Sequence, residues 1–388
     1  MAKVTNFEHN GTTINTSESP EAMGGIGSNV IGLVGTAPNR AIGVPLNSPF
    51  RINSQTLAEM LDPTGAEAGT LYLTVKAILK VVKVPIYVVV VEKQATLAET
   101  QAKVIGGVDG ATGQKLGLAA LMTCQEMPTI IGAPGFSAEQ AVHSELASIG
   151  KRMRARVVLD GKDVPVAGQV ANSEAIGGAD LGYDRCYLVH QMPAVYSKAA
   201  LGNVFLPPSS LAIAALAAVK QWESPGNQVT YAADVSRTVE YNILDKSTEG
   251  DLLNSFGVSY YARTELGGIS LIGNRSITGK FISYVGLEDA IARKLAGAAQ
   301  KVMAKNLTMG YMKQEVKRVD DWLQTLVADQ TIPGGSVYLH PELNSVEKYK
   351  NGTWFLVIDY GRYAPNEHMV YQLNATDAIL EEFLGEVL

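Results

Sequence analysis

The residues that most often hold metals or move protons are scattered along this chain. None of its histidines is followed by another histidine or a cysteine within five residues, and neither H-E-x-x-H nor C-x-x-C occurs. These spacings predict no zinc site and no cofactor. Cys124 and Cys186 both lie in apolar surroundings, where a thiol behaves as a small buried hydrophobe. The five histidines are His9, His143, His190, His340 and His368.

Glycine motifs that bind phosphates are incomplete in this sequence. Gly279-Lys280 is followed by phenylalanine and lacks the first glycine of a P-loop. Gly25-Ile26-Gly27 lacks the third glycine of a dinucleotide fingerprint, and no Gly-x-Ser-x-Gly elbow occurs. The remaining candidate is Gly132–Gly135, which follows an apolar strand where α/β enzymes often bind ligands. A tight strand-to-helix turn is the favoured interpretation of this loop, and a small-ligand site is the alternative.

Buried strands that alternate with helices must position any such loop. The run Ile86–Val91 is apolar without alternation, which indicates a strand buried on both faces. A helix beginning near Thr70 precedes it, and another runs from Ser137, at a capping-box spacing, to about Met153. This order predicts an α/β domain with a mixed sheet covered by helices. Further strands are predicted over residues 29–35, 128–131, 156–160 and 187–190.

The segment Leu211–Gln221 predicts a helix with almost no charge on any face. A helix that is apolar all round must be buried on all sides, inside a sizeable domain or between subunits. Ser209 or Ser210 is expected to cap its first turn. The sequence Ser-Pro-Gly-Asn that ends at residue 227 is expected to prevent its continuation.

The composition limits the partners of the chain. Of its 388 residues 18% are charged and 46% are apolar, and its net charge is −6. A large core rich in alanine and glycine explains this shortage of charge, and so do surfaces that contact other subunits. An acidic chain without basic runs predicts no direct contact with nucleic acid or membranes. Residues 1–10 contain no apolar segment, so we expect no secretory signal.

The character of the sequence changes after Ile269. Helical patterns over 286–305 and 312–328, followed by strands over 336–339 and 353–360, predict a second, α+β domain. Two stretches rich in glycine and alanine, 94–125 and 161–200, are candidates for an outer lobe. The expected organisation is an N-terminal arm over 1–20, an outer α/β domain over 21–270, an inner α+β domain over 271–368 and a C-terminal arm over 369–388.

Positive charge is concentrated between Ala290 and Arg318. Seven bases there accompany one acid, Glu315, which gives a net charge of +6 in a chain of −6. A solvated helix face explains such a run, and contact with an acidic surface is the functional alternative. The seven bases are Arg293, Lys294, Lys301, Lys305, Lys313, Lys317 and Arg318.

The sequences Leu206-Pro-Pro-Ser-Ser210 and Trp222-x-Ser-Pro-x-Asn227 resemble the central segment of contractile-tail sheath proteins from phages and R-type tailocins. Ile272 and Ser276 stand where that family tends to have tryptophan and threonine. The length of the chain is similar to the compact class of R-type pyocins and P2-like phages. Further similar segments, in the same order, are Asn29–Gly35, Thr70–Val91, Pro128–Gly135, Leu253–Val258 and Ile272–Ser276.

This resemblance implies a structural subunit and no enzyme. Sheath subunits stack as hexameric rings around a tube and contract to drive it through a bacterial envelope. Their terminal arms add strands to sheets of neighbouring subunits. The implied partners are further copies, the tail tube protein, and baseplate and terminator proteins. The implied location is the host cytoplasm during assembly, and afterwards the released virion tail or tailocin.

The resemblance also suggests which residues make these contacts. The arm residues are Thr12, Thr13, Ile14, Asn15, Thr16, Ile379, Leu380, Phe383, Leu384 and Val387. An isolated amphipathic helix is the alternative for the C-terminal set. The tube-facing residues are Lys294, Lys301, Lys305, Lys313, Lys317 and Arg318. Two other functions remain open: an oligomeric α/β enzyme or small-ligand protein that uses Gly132–Gly135, and a non-contractile shell or tube protein.

Overall fold

The computed structural model describes residues 22–178, 182–300 and 302–387. These residues divide into two compact units, one formed by described residues of 28–289 and 364–387 and the other by described residues of 22–27 and 290–363. Within the described ranges, every helix is too short or too polar to cross a bilayer.

The described residues form strands and helices in alternation over most of the chain. The strands are β1 Ile31–Thr36, β2 Phe50–Ile52, β3 Ile86–Val91, β4 Gly107–Val108, β5 Lys115–Leu116, β6 Ile130–Gly132, β7 Arg156–Asp160, β8 Cys186–Val189, β9 Pro193–Ser197, β10 Gly202–Phe205, β11 Gln228–Val229, β12 Asp234–Val235, β13 Val258–Thr264, β14 Gly268–Ile272, β15 Gly335–Leu339 and β16 Leu356–Tyr360. The helices are α1 Gln55–Glu59, α2 Leu71–Val81, α3 Leu97–Ile105, α4 Gln140–Met153, α5 Val166–Ile176, α6 Ser209–Ala218, α7 Glu249–Ser255, α8 Ile282–Gln300, α9 Met309–Ala328, α10 Val346–Lys350 and α11 Asp377–Val387.

The larger unit is built on a mixed sheet with the strand order β11-β14-β13-β8-β7-β6-β1-β3-β2. Six neighbouring strands, from β13 to β3, run parallel, and antiparallel strands complete both edges. The strand order reverses between β1 and β6, because β3 lies on one side of β1 and all later parallel strands lie on the other. This reversal is the topological switch point at which open α/β sheets bind ligands.

Both faces of this sheet are buried. On one face Leu33, Val88 and Val158 pack in a core with α2 and α6. On the other face Val89 and Val157 join a core with α4 and a 3₁₀ helix at 117–123. Every residue of β3 is buried, as the unbroken apolar run predicts.

Helix α6 is enclosed by the larger unit. Its residues from Ser209 to Ala217 are all buried, including those on its two opposite faces. It packs against α2 on one side and β6 and β7 on the other. The prediction that this charge-free helix is buried all round is therefore confirmed.

The smaller unit contains α9, α10 and the antiparallel pair β15–β16. Helix α9 packs on β15 and buries Val319, Trp322, Leu323 and Leu326 along one stripe. These four positions follow the helical period and make one apolar face. Thr308 caps the helix, since its hydroxyl accepts a hydrogen bond from the backbone N–H of Tyr311.

The boundary between the domains and the outer lobe both differ from the sequence-based expectation. The units separate between Asp289 and Ala290, within α8, and not near residue 270, because β14 pairs with β13 in the large sheet. The stretch 94–125 covers one face of that sheet: Leu118 and Leu121 of its 3₁₀ helix are fully buried against sheet residues. Part of 161–200 is β8, a central strand, so neither stretch stands apart as an outer lobe.

Candidate assembly interface

The loop Gly132–Gly135 ends β6 at the switch point, where a ligand would be expected. The backbone N–H that this loop could offer to a ligand is already bound to the side chain of Asp160. The N–H of Gly135 donates to Oδ2 of Asp160 over 2.9 Å, and the hydroxyl of Ser137 donates to the same oxygen over 2.7 Å. Oδ1 of Asp160 accepts from the backbone N–H of Ser209, also at 2.9 Å. A buried carboxylate therefore fills the position that an anionic ligand would use.

Asp160 also replaces the cap expected from the sequence. The N-cap position of α6 is Pro208, and the donor of the first turn is satisfied by the carboxylate and not by the hydroxyls of Ser209 or Ser210. The hydroxyl of Ser210 instead lies 3.1 Å from that of Thr74 on α2. Burial raises the pKa of the Asp160 carboxyl, and the hydrogen bonds that it accepts act in the opposite direction.

The capping box predicted at Ser137 is absent, because the Ser137 hydroxyl is bound to Asp160. Helix α4 begins three residues later, after Glu139, and has no side-chain cap. The Ser137 hydroxyl donates to Asp160 and accepts from the backbone N–H of that residue at 2.9 Å. The spacing of Ser137 suggests that it caps α4, but its hydroxyl binds Asp160, which is distant in the sequence.

The glycines of the loop are explained by packing and by backbone conformation. A Cβ atom on Gly132 would lie 2.8 Å from Cδ1 of Ile213, which is closer than real contacts allow. Gly135 has a φ of +85°, and a Cβ there would lie 3.2 Å from Thr70 and 3.5 Å from Pro207. Close approach of α6 accounts for Gly132, and the positive φ of the turn accounts for Gly135.

Asn29 binds the C-terminal end of α6, as Asp160 binds its N-terminal end. Its side-chain amide donates to the carbonyls of Ala217 at 3.2 Å and Val219 at 2.7 Å, and its Oδ1 accepts from Arg156 at 2.8 Å. The helix stops at Ala218, before the Ser-Pro-Gly-Asn sequence that was expected to stop it. Both ends of the buried helix are thus held by polar side chains from the sheet region.

Two histidines are buried in the larger unit. Burial lowers the pKa of His190 to about 4, and it lowers that of His143 as well. Within the described residues, no group of three His, Cys, Asp or Glu side chains is placed to hold a metal ion. Burial raises the pKa of the Cys124 thiol to about 12, so this thiol stays protonated.

The C-terminal segment exposes its apolar side chains. Residues 361–376 have no regular secondary structure, and every residue from 366 to 377 is exposed. Helix α11 follows, so the C-terminal set lies on a helix, as in the alternative reading. Its apolar residues Ile379, Leu380, Phe383 and Leu384 are between 46% and 67% exposed.

Other predicted arm residues lie outside what the structure describes. Thr12, Thr13, Ile14, Asn15 and Thr16 precede the described residues, and the side chain of Val387 is not described. The exposed apolar residues of the stretch before α11 were missed in the sequence, although its composition shows them. They are Met369, Val370, Tyr371 and Leu373, with exposures between 55% and 93%.

The β15–β16 pair has two open edges. Each strand has five residues and pairs with the other over its whole length. Among the described residues, no further strand pairs with either. An open edge offers unpaired backbone N–H and C=O groups, which is what strand addition requires.

The predicted tube-facing bases lie in different surroundings. Lys305, Lys313 and Lys317 are exposed, and Lys317 pairs with Asp321 at 3.1 Å. Arg318 is buried and bound through two nitrogens to Glu315, so it is not part of an exposed basic face. Lys294 and Arg318 line one groove with Met23 and Gly24, whereas Lys301 lies outside the described residues.

Comparison with known proteins gives full-length relatives. No protein-family profile matches the chain. It is 26% identical to a prophage major tail sheath protein of Pseudomonas aeruginosa, over 97% of this chain and 99% of the relative. It is 22% identical to the tail sheath protein of Escherichia phage P2, over 99% of both.

Comparison of structures gives the same class of protein. The sheath of an extracellular contractile injection system in its contracted state matches 97% of this chain and all of the other, with a TM-score of 0.71 and 13% identity. The contracted helical sheath of the anti-feeding prophage matches 95% of this chain with a TM-score of 0.67 and 16% identity. At these identities the structural matches show the fold alone. The full-length sequence matches independently show that the chain is similar, from end to end, to contractile tail sheath proteins.

Proposed function

We infer that this chain is a structural subunit of a contractile tail sheath. The observation that carries this inference is similarity along the whole chain to tail sheath proteins of a phage and a prophage. The exposed apolar C-terminal segment and the open β15–β16 edges support it, because both are suited to contacts between copies. The occupied switch point removes the feature that favours a small-ligand enzyme.

The finer proposal is that subunits stack as hexameric rings around a tail tube and contract to drive it through a bacterial envelope. Two structural neighbours come from baseplate assemblies of the anti-feeding prophage. We therefore propose a baseplate and a terminator protein as partners at the two ends of the sheath. Assembly would take place in the host cytoplasm, and the finished particle would be a released phage tail or tailocin.

Arm exchange is proposed as the link between subunits. The segment 368–376 is long enough to reach a neighbour, since nine extended residues span about 30 Å. Its exposed apolar residues would pair along one edge of β15–β16 in the next copy. The N-terminal arm, including Thr12–Thr16, is proposed for the other edge.

Contact with an acidic tube is proposed for the bases of the smaller unit, of which Lys305, Lys313 and Lys317 are exposed. Changing Lys301, Lys305, Lys313 and Lys317 together to glutamate should abolish assembly that depends on the tube, because four attractive charges become repulsive. The matched control changes Lys80, Lys103, Lys151 and Lys198 to glutamate, which alters the net charge equally in the larger unit. Co-expression of each variant with the tube protein, followed by electron microscopy, would measure how much sheath assembles on the tube. Extended sheaths of normal length from the first variant would contradict the proposal.

The decisive experiment for the function itself is expression of the chain without its tube, followed by negative-stain electron microscopy. A sheath subunit should form hollow, cross-striated tubes of uniform width. A small closed oligomer at all concentrations would favour the enzyme reading. A polymer with a single packing state, unchanged when the tube is supplied, would favour a non-contractile shell or tube.

A further inference from the structure

Arg275 is held in place by its own turn. Its guanidinium lies over the ring of Phe281, with Cζ 4.1 Å from the ring centroid. Its Nη1 donates to the carbonyl of Gly279 over 2.7 Å, and the backbones of Arg275 and Phe281 pair in an isolated bridge. The side chain is therefore oriented before it meets any acidic partner.

Glu367 binds this fixed guanidinium through both carboxylate oxygens. Nη2 of Arg275 donates to Oε2 at 2.6 Å, and Nε lies 3.1 Å from Oε1. Exposed ion pairs usually contribute little, because two mobile side chains lose freedom when they meet. Here the arginine is already immobilised and the geometry is bidentate, which makes this pair stronger than most at 38% and 37% exposure.

The pair stands at the root of the C-terminal segment. Residues 364–388 belong to the larger unit, as Arg275 does. Beyond Glu367 the chain runs without helix or strand to Thr376 and exposes Met369, Val370 and Tyr371. Glu367 is thus a fixed point between the folded unit and the exposed apolar stretch.

We propose that Arg275 is a positioning residue for the C-terminal segment. By holding Glu367, it fixes where this segment leaves its unit and in which direction it points, and so presents the apolar stretch to a neighbouring copy. The proposal rests on the arm exchange proposed above. Without the pair the tether begins before Glu367, so it is longer and loses its direction, which lowers the effective concentration of the arm at its target.

The cleanest variant is Glu367→Gln, because it leaves the Arg275–Phe281 turn intact. We expect it to raise the concentration needed for polymerisation about two- to tenfold, as measured by sedimentation. The swap Arg275→Glu with Glu367→Arg should restore part of the loss. The matched control is Arg237→Gln, which breaks another 2.6 Å pair of similar exposure, with Asp163, in the same unit.

A second measurement does not depend on assembly. Chymotrypsin should cut the unpolymerised Glu367→Gln protein after Tyr363 several times faster than the wild type or Arg237→Gln, because the root is released. If Glu367→Gln is cleaved at the wild-type rate and polymerises at the wild-type concentration, the proposed role of Arg275 is wrong. If wild-type protein forms no polymer, the proposed function fails. The cleavage rate alone then tests whether the Arg275–Glu367 pair holds the start of the C-terminal segment in place.

Discussion

At the scale of single residues, Asp160 binds three donors from two separate segments. Its carboxylate accepts from Gly135, Ser137 and Ser209, and so ties the loop after β6 to the first turn of α6. A buried acceptor with three donors is costly to alter, because each donor left unpaired keeps its desolvation penalty.

Asp160→Asn should therefore lower the free energy of unfolding by about 2–3 kcal/mol. The amide nitrogen of asparagine would face at least one N–H or O–H group that needs an acceptor. Urea denaturation followed by fluorescence would measure the change. Asp163→Asn, which breaks the exposed pair with Arg237, should cost no more than about 1 kcal/mol. Equal effects of the two substitutions would refute the role given to Asp160.

His190 should make the folded state sensitive to acid. Burial holds its pKa at about 4, below the ordinary value of 6.5. Between these values the unfolded chain binds the proton more readily, so stability is full above pH 6.5 and is lost as pH falls toward 4. The slope from this residue reaches about 1.4 kcal/mol per pH unit. His190→Leu should flatten the pH dependence of the urea midpoint in this window, and an unchanged slope would count against the assignment.

The residues that hold α6 could not be predicted from the sequence. Ser209, Ser210 and Ser137 have the spacing of local caps, whereas the group that acts on the helix lies 49 positions away, in Asp160. Asn29 is 188 positions from Ala217, whose carbonyl it binds. A local pattern carries no information about such partners, since only the folded sheet brings them together.

At the scale of elements, the fit between α6 and β6 can be tested directly. Gly132→Ala should lower the free energy of unfolding by about 1–3 kcal/mol, because the new methyl group meets Ile213. Ile213→Val shortens the contacted side chain, so the double variant should lose less than the sum of the single changes. Urea midpoints of the wild type, the two single variants and the double variant give the interaction energy between the two positions. Additive losses would show that Ile213 is not the contact that matters.

Elements with strong local signals were predicted closely. The apolar run Ile86–Val91 is a strand with the predicted bounds, and the strand Arg156–Asp160 is also reproduced. Helix α8 begins four residues before its predicted start and ends five before its predicted end. Its two ends lack the capping and proline signals that mark a boundary, so the pattern alone does not fix them.

At the scale of the whole molecule, deletion separates folding from assembly. Removing residues 369–388, or residues 1–20, should abolish polymerisation. Removing 369–388 should leave the unfolding midpoint nearly unchanged, since the described side chains of that segment are exposed. Sedimentation and thermal denaturation of the truncated proteins would measure both. Polymers formed by both truncated proteins would contradict arm exchange.

The similarity to tail sheath proteins could be predicted from the order of several short segments, whereas the division into units could not. The change in pattern after Ile269 is real, but β13–β14 is a hairpin of the large sheet and draws the following residues into that unit. Continuous helix α8 then crosses the division without any break in its sequence pattern. The arms of the chain were inferred from the family, and their composition alone does not distinguish a free helix from a docked strand.

The enclosed helix α6 has a mechanical consequence. Protein interiors are packed as densely as molecular crystals and are hardly compressible, so they transmit a load with little deformation. An open crevice at the switch point would be the softest part of such a sheet, and here a helix and a bonded carboxylate fill it. The larger unit is therefore expected to behave as a stiff block under force. We expect the deformation during contraction to be taken up by the stretch 368–376, which has no helix or strand.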